Sequence, residues 1–317
     1  THVASTIAGK KFGWAKNARI YSQKVAGLEG NGDSGTGIMA AWAFDAIKLW
    51  HRNKPIDPKT GFKRPTIVNM SWGYLTTYST VSSINYRGTS YSDGTIGSAG
   101  LRESNYGLIN FYSFSAGGYV TNVRITSVDT DVEELIDEGI HVCIAAGNRR
   151  HKIDVSGGID YDNYAVTNSG TKYYHRGSSP SFSGAIVVGS LDSTSYSGTQ
   201  DQKATYSETG PGVDIWAHGS NIMAASSNTN EIGGYTYPYN TNFKQVAISG
   251  TSMATPQVSG VAALIAQANP GITPAVMKSA LKIKLVQQFG MEEIITTIII
   301  GVYKELLNKY FSISSVK

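Results

Sequence analysis

The chain has 317 residues, 41% of them hydrophobic and 16% charged, which suits one large globular domain, or one with a small appendage. The net charge of +4 is spread out, and no Lys/Arg block forms a basic arm, so nucleic acid is excluded as a partner class. The longest apolar run, near Ile294–Ile300, is too short to cross a bilayer, and the single cysteine, Cys143, rules out an intrachain disulfide.

In chain order, the opening "THVASTIAG" has neither Met nor a signal peptide and reads as a processed or truncated start. Ala18–Val25 reads as a strand, and Ile38–Trp50 repeats apolar residues at helical spacing. Thr66–Ser71 is a β-branched, apolar strand. Tyr74–Ser127 is rich in Tyr, Ser and Gly with no helical period, which predicts an insert of short strands and loops, either surface decoration or a binding face. Val132–Glu138 predicts a short helix feeding a strand at His141–Ala145, whose apolar run makes Cys143 a buried small hydrophobe. Arg149–Pro180 is a second polar, loop-like stretch. Ala185–Ser190 and Val213–Ala217 read as strands. Ser252–Ala268 is a helix with apolar residues at Val258, Val261, Ala262, Leu264 and Ile265, and Pro274–Leu281 is another. After Leu281 the composition turns to Ile and Lys. A domain over 1–281 is expected, followed by a tail, 282–317, in which Met291–Lys309 could be written as an amphipathic helix.

Apolar strands alternating with helices predict an α/β fold in three layers: a mostly parallel sheet with helices on both faces. Ligands of such sheets sit at the carboxyl ends of the strands, where the chemically suggestive strings of this chain fall. Ser249–Leu264 reads "SGTSMATPQVSGVAAL". Gly250 permits a tight turn from strand to helix, and Pro256 is expected near the first helical turn. Ser252 is then at a helix N-terminus, whose free N–H groups favour a developing negative charge. Taken alone, G-T-S is an ordinary helix start, and Asn148 after Gly147 is an ordinary turn residue.

Together the strings say more. "GTSMATP" resembles the nucleophile motif of the subtilisin-like serine proteases, with Gln257 where that family usually has His. "AAGN", ending at Asn148, is similar to its oxyanion-hole string, and "IVNMSWG" (Ile67–Gly73), "VVGSLD" and "GPGVDIWAHG" follow the family order, His218 standing where proline is common. The resemblance covers Thr1–Leu281 apart from the inserts and implies a subtilisin-like fold and peptide-bond hydrolysis through an acyl-enzyme. It implies Ser252 as nucleophile, with Asn148 and the Ser252 N–H holding the oxyanion. Ser71, Trp72 and Gly73 would form one wall of the pocket for the side chain before the scissile bond, and Ala145, Ala146 and Gly147 the other. "GDSG" (Gly32–Gly35) resembles the chymotrypsin-type nucleophile motif, but nothing else here does. In the subtilisin-like register, Asp33, Ser34 and Gly35 would pair with extended substrate by strand addition.

The family's general base is the first His of H-G-T-H-V-A. Thr1 and His2 match the third and fourth positions of that string, so the base would lie two residues before Thr1 and its aspartate further upstream. The expectation is a truncated peptidase domain, inactive as a fragment. His51, His141, His151 and His175 are expected to be structural. The implied partner is a polypeptide substrate; nothing sets an oligomeric state. No cofactor is needed for the chemistry. Structural calcium is common in the family, and Asp214 matches a ligand position in the proteinase K branch, which the short segment after His2 also resembles, although one carboxylate falls well short of the six to eight oxygens calcium takes. Secretion is implied by the resemblance alone. A competing reading is a non-catalytic subtilisin-like module that holds a partner with its Tyr-rich insert.

Overall fold

A computed structural model of the chain describes residues 1–23, 25, 40–78, 81–92, 119–174, 176–181, 183–192, 202–227 and 233–287. Its centre is a sheet in which β1 (Ile67–Met70), β6 (His141–Ala145), β9 (Ile186–Asp192) and β11 (Ile215–His218) pair parallel in that order, with the short β10 (Gln202–Lys203) antiparallel on β9. Every residue of β6 is buried. Successive side chains leave a strand on opposite faces. Val142 and Ile144 therefore join a core with Phe44, Val132 and Leu135, while Cys143 joins a second core with Ile186, Val188, Val258 and Met277.

The first core is roofed by α2 (Ala40–Arg52) and α3 (Thr126–Asp137), the second by α4 (Thr251–Ala268) and α5 (Pro274–Gln287). This is the expected three-layer α/β arrangement. Buried Cys143 is a packing residue, its thiol pushed up to about 12 by burial, with a hydrogen bond to Ser259 acting the other way. The helix α1 (His2–Ala8) holds a smaller antiparallel sheet of β12 (Ile222–Ser226), β14 (Lys244–Ile248) and β13 (Tyr235–Thr236). His2 bridges two of its strands, Nε2 lying 2.9 Å from Ile222 O and 3.2 Å from Val246 O.

Several elements differ from the expectation. Residues 18–23 and 25 form no strand: Ile20 and Tyr21 are exposed, Ala18 N–H turns back to Ala15 O at 2.9 Å, and no described strand pairs with the segment. The helix expected at Val132 begins six residues earlier, at Thr126, because Val128 joins Val132 and Leu135 on one buried stripe. Its polar first turns, T-S-V-D-T-D, hid the start. The Tyr-rich insert does hold short strands: β2 (Leu75–Tyr78), β3 (Val81–Tyr86), β4 (Thr89–Ser92) and β5 (Tyr119–Asn122). The second polar stretch is more than loop, since β7 (Tyr164–Thr167) and β8 (Lys172–Tyr174) extend the β4-β3 hairpin into a four-stranded antiparallel sheet, β4-β3-β7-β8. Arg87 at the hairpin turn clamps buried Asp160 through Nε at 2.7 Å and Nη2 at 3.1 Å. Residues 93–118, His175 and the proposed helix at Met291–Lys309 lie outside the described residues.

Candidate active site

"IVNMSWG", "AAGN" and "GTSMATP" meet at the carboxyl ends of β1 and β6. These strands are neighbours in register, Met70 opposite Ile144. The chain leaving β1 carries Ser71-Trp72-Gly73, and β6 ends at Ala145 and runs on into Ala146-Gly147, so these two segments stand side by side. Trp72 is partly buried against the first core, edge-on to Tyr74 with ring centroids 5.7 Å apart.

Ser252 is the second residue of α4, and Gly250 forms its cap at φ +154°, a backbone setting that side chains resist. A Cβ there would also stand 3.4 Å from Asn148 Nδ2. The Ser252 hydroxyl donates to Ser71 O at 3.1 Å, and the Ser71 hydroxyl donates to Ser252 O at 2.9 Å. Pro256 explains why Ser252 O is free to accept. It lies inside the helix, beyond the first turn where it was expected, and has no N–H to give the carbonyl four residues before it. A chain of bonds stands behind the pair. Ser259 Oγ donates to Asn69 Oδ1 at 2.9 Å, and Asn69 Nδ2 donates to Ser71 Oγ at 2.8 Å.

Asn148 is tied to the residue next to Ser252. Its Oδ1 accepts from Thr251 N–H at 2.8 Å and from Thr251 Oγ1 at 3.0 Å, while Thr251 Oγ1 accepts from Gly147 N–H at 3.1 Å. With Oδ1 so engaged, Nδ2 is the end left to face a ligand. Fully buried Thr251 thus joins the β6 loop to the start of α4; the sequence reading included it in G-T-S without giving it a role.

Glu208, also missed, lies beneath the same loop. It is fully buried, and a Cβ on Gly147 would stand 2.8 Å from its Cγ. Its Oε1 accepts from Asn122 Nδ2 at 2.8 Å and from Arg149 N–H at 3.3 Å, with His151 Nδ1 at 3.8 Å. Burial pushes the carboxyl up to about 8, against the bond from Asn122, so it is neutral over most of the range below that. A lone buried glutamate among Y-S-E-T-G carries no sequence signal that separates it from a surface one.

Asp33, Ser34 and Gly35 lie outside the described residues. The candidate calcium ligand Asp214 is elsewhere, on the far side of β9, and faces two lysine ammonium groups. Among the described residues no cluster of three or more His, Cys, Asp or Glu could hold a metal ion, and no helix is long and apolar enough to cross a membrane.

At the rim of the parallel sheet the structure thus carries a serine at a helix start and, tied to the neighbouring Thr251, an amide held in one orientation. The family profile described as the Subtilase family matches residues 1–294, and the chain belongs to that family. It is 26% identical over 281 residues to the alkaline serine exoprotease A of Vibrio alginolyticus, covering 89% of this chain and 33% of that protein. It is 28% identical over 281 residues to an extracellular serine proteinase of a Thermus species, covering 89% of this chain and 44% of that one. The chain therefore spans between a third and a half of these relatives' length. Among solved structures, a protease from Pseudoalteromonas arctica superposes with a TM-score of 0.50 at 21% identity over 90% of this chain and 62% of that one, a likeness of fold.

Proposed function

We propose that this domain belongs to a serine endopeptidase that cleaves peptide bonds through an acyl-enzyme on Ser252. The Asn148 Nδ2 amide and the Ser252 N–H hold the oxyanion. Extended substrate lies along Asp33–Gly35 and Ser71–Gly73, and Ala145–Gly147 forms the opposite pocket wall. The observation that carries this reading is Thr251: it engages Asn148 Oδ1 through two hydrogen bonds at the helix start that also carries Ser252, which leaves Nδ2 as the donor end. A second support is the hydroxyl itself, which is anchored to a carbonyl, Ser71 O. A carbonyl cannot accept its proton, so the reading needs a base, and the motif register assigns base and aspartate upstream of Thr1. The 317 residues alone are then expected to be inactive. The name of the Thermus relative supports an extracellular setting.

The test is labelling by a fluorophosphonate of the chain as given and of one extended upstream by about forty residues, the span set by the triad order. Labelling of the extended protein that is lost in Ser252→Ala supports the proposal. Absence of labelling in that protein, folded, would favour the non-catalytic binding module. In the extended enzyme Asn148→Ala should lower kcat by about 10²–10³ with little change in KM, the magnitude known for the corresponding donor in subtilisin.

A further inference from the structure

Asp214 stands just before β11 with its side chain only 6% exposed. Its Oδ2 accepts from Val187 N–H at 2.9 Å and lies 2.7 Å from Lys278 Nζ. The same ammonium donates to Ser183 O at 2.7 Å and to Ala185 O at 2.6 Å. Three oxygens, two from the segment entering β9 and one from Asp214, thus close on one nitrogen. A lysine ammonium has three N–H donors, and all three are used. Lys282, one turn on along α5, meets the other carboxylate oxygen, Oδ1, at 2.7 Å.

A carboxylate with two backbone carbonyls is the hard-oxygen donor set that calcium prefers. Calcium nevertheless does not fit this cradle as it stands, because its centre is filled by a positive nitrogen in contact with Ser183 O, Ala185 O and Asp214 Oδ2, while Lys282 holds Oδ1. A divalent ion would have to displace a charge that is covalently part of α5. We infer that Lys278 Nζ is a built-in cation: it fills an oxygen cradle of Ser183 O, Ala185 O and Asp214, fastens α5 to β9 without metal, and leaves a calcium site when removed. The family's frequent recourse to structural calcium is replaced here by a side chain that no chelator can extract.

This inference does not rest on the protease reading, since cation binding and unfolding need no catalysis. The test compares the wild-type chain with Lys278→Ala and with Lys278→Ala/Lys282→Ala, the second because Lys282 could swing onto the vacated carboxylate. Calcium binding is measured by titration calorimetry, and thermal unfolding is followed in EDTA and in Ca²⁺ at about 1–10 mM, enough to load weak extracellular-type sites with Kd of about 10⁻⁴–10⁻³ M. The double variant is expected to bind one more calcium per chain than the wild type. Its unfolding midpoint should fall in EDTA and recover with Ca²⁺. Adding Asp214→Asn should abolish both the extra ion and the recovery. The same calcium stoichiometry in variant and wild type overturns the inference, as does an extra ion that survives Asp214→Asn. Variants that fold in neither EDTA nor calcium also overturn it, since the ion would then have failed to restore the cradle.

Discussion

At the scale of single residues, Asn148 illustrates how little shape alone decides. The two ends of its amide are nearly the same size, and only a neighbour that must donate can tell them apart. Thr251 is that neighbour: its N–H and Oγ1 both point at Oδ1. Thr251→Val keeps the volume but removes the hydroxyl, leaving Gly147 N–H without its acceptor and Asn148 with one donor fewer. Stability in urea should fall by about 1–3 kcal/mol, the cost of an unsatisfied buried group. In the extended enzyme kcat should drop about tenfold, the worth of roughly one hydrogen bond, with KM little changed. Thr251→Ser should recover most of both. A Val variant as stable and as active as the wild type would show that Asn148 holds its orientation without Thr251.

At the scale of elements, β6 and α4 were legible because their periods are strong. β6 is a short apolar run, and α4 keeps Val258 and Ala262 on one face for eighteen residues. What period could not disclose is how their ends are used. The start of β6 places His141 at 2% exposure, its Nδ1 without a partner, opposite β1 and near His51. Burial lowers its pKa from 6.5 to about 4, helped by the charge of His51 when that ring is protonated. The unfolded chain therefore binds the proton more readily than the folded one. Stability is complete above about 6.5 and drains away as the pH falls toward 4, by up to roughly 3 kcal/mol from this residue. His141→Leu should flatten that acid limb in denaturation curves taken from pH 7 to pH 4, and at pH 7 it should cost little, because the ring nitrogen it removes is unsatisfied. An unchanged acid limb would mean that another group sets it. The strand expected at Ala18–Val25 shows the reverse case: a strand needs a neighbour, and no described strand pairs with this segment.

At the scale of the whole molecule, the sheet keeps two cores apart. Phe44 lies in the α2–α3 core and Met277 in the α4–α5 core, both essentially inaccessible to solvent. Phe44→Ala should cost about 3–5 kcal/mol and Met277→Ala about 2–5 kcal/mol by transfer and cavity formation. Since the sites share no partner, the double variant should lose the sum to within about 0.5 kcal/mol. Coupling well beyond that in equilibrium unfolding would mean that the sheet transmits strain between its faces.

From its own residues the chain determined the α/β layering, most of the central strands and helices, the membership of the subtilase family, and the positions of Ser252 and Asn148 along it. These follow from local period and from short strings whose spacing carries their chemistry. Tertiary structure alone decided that β7 and β8 complete a sheet begun in the insert, that Pro256 frees a carbonyl for Ser71, that Thr251 orients Asn148, and that Asp214 meets lysines. Each of these joins residues far apart in sequence, and a hydrogen bond or ion pair across such a distance leaves no periodic trace in either partner. Asp214 before β11 and Lys278 in α5 read separately as a carboxylate and a helix lysine; only the fold makes them one site.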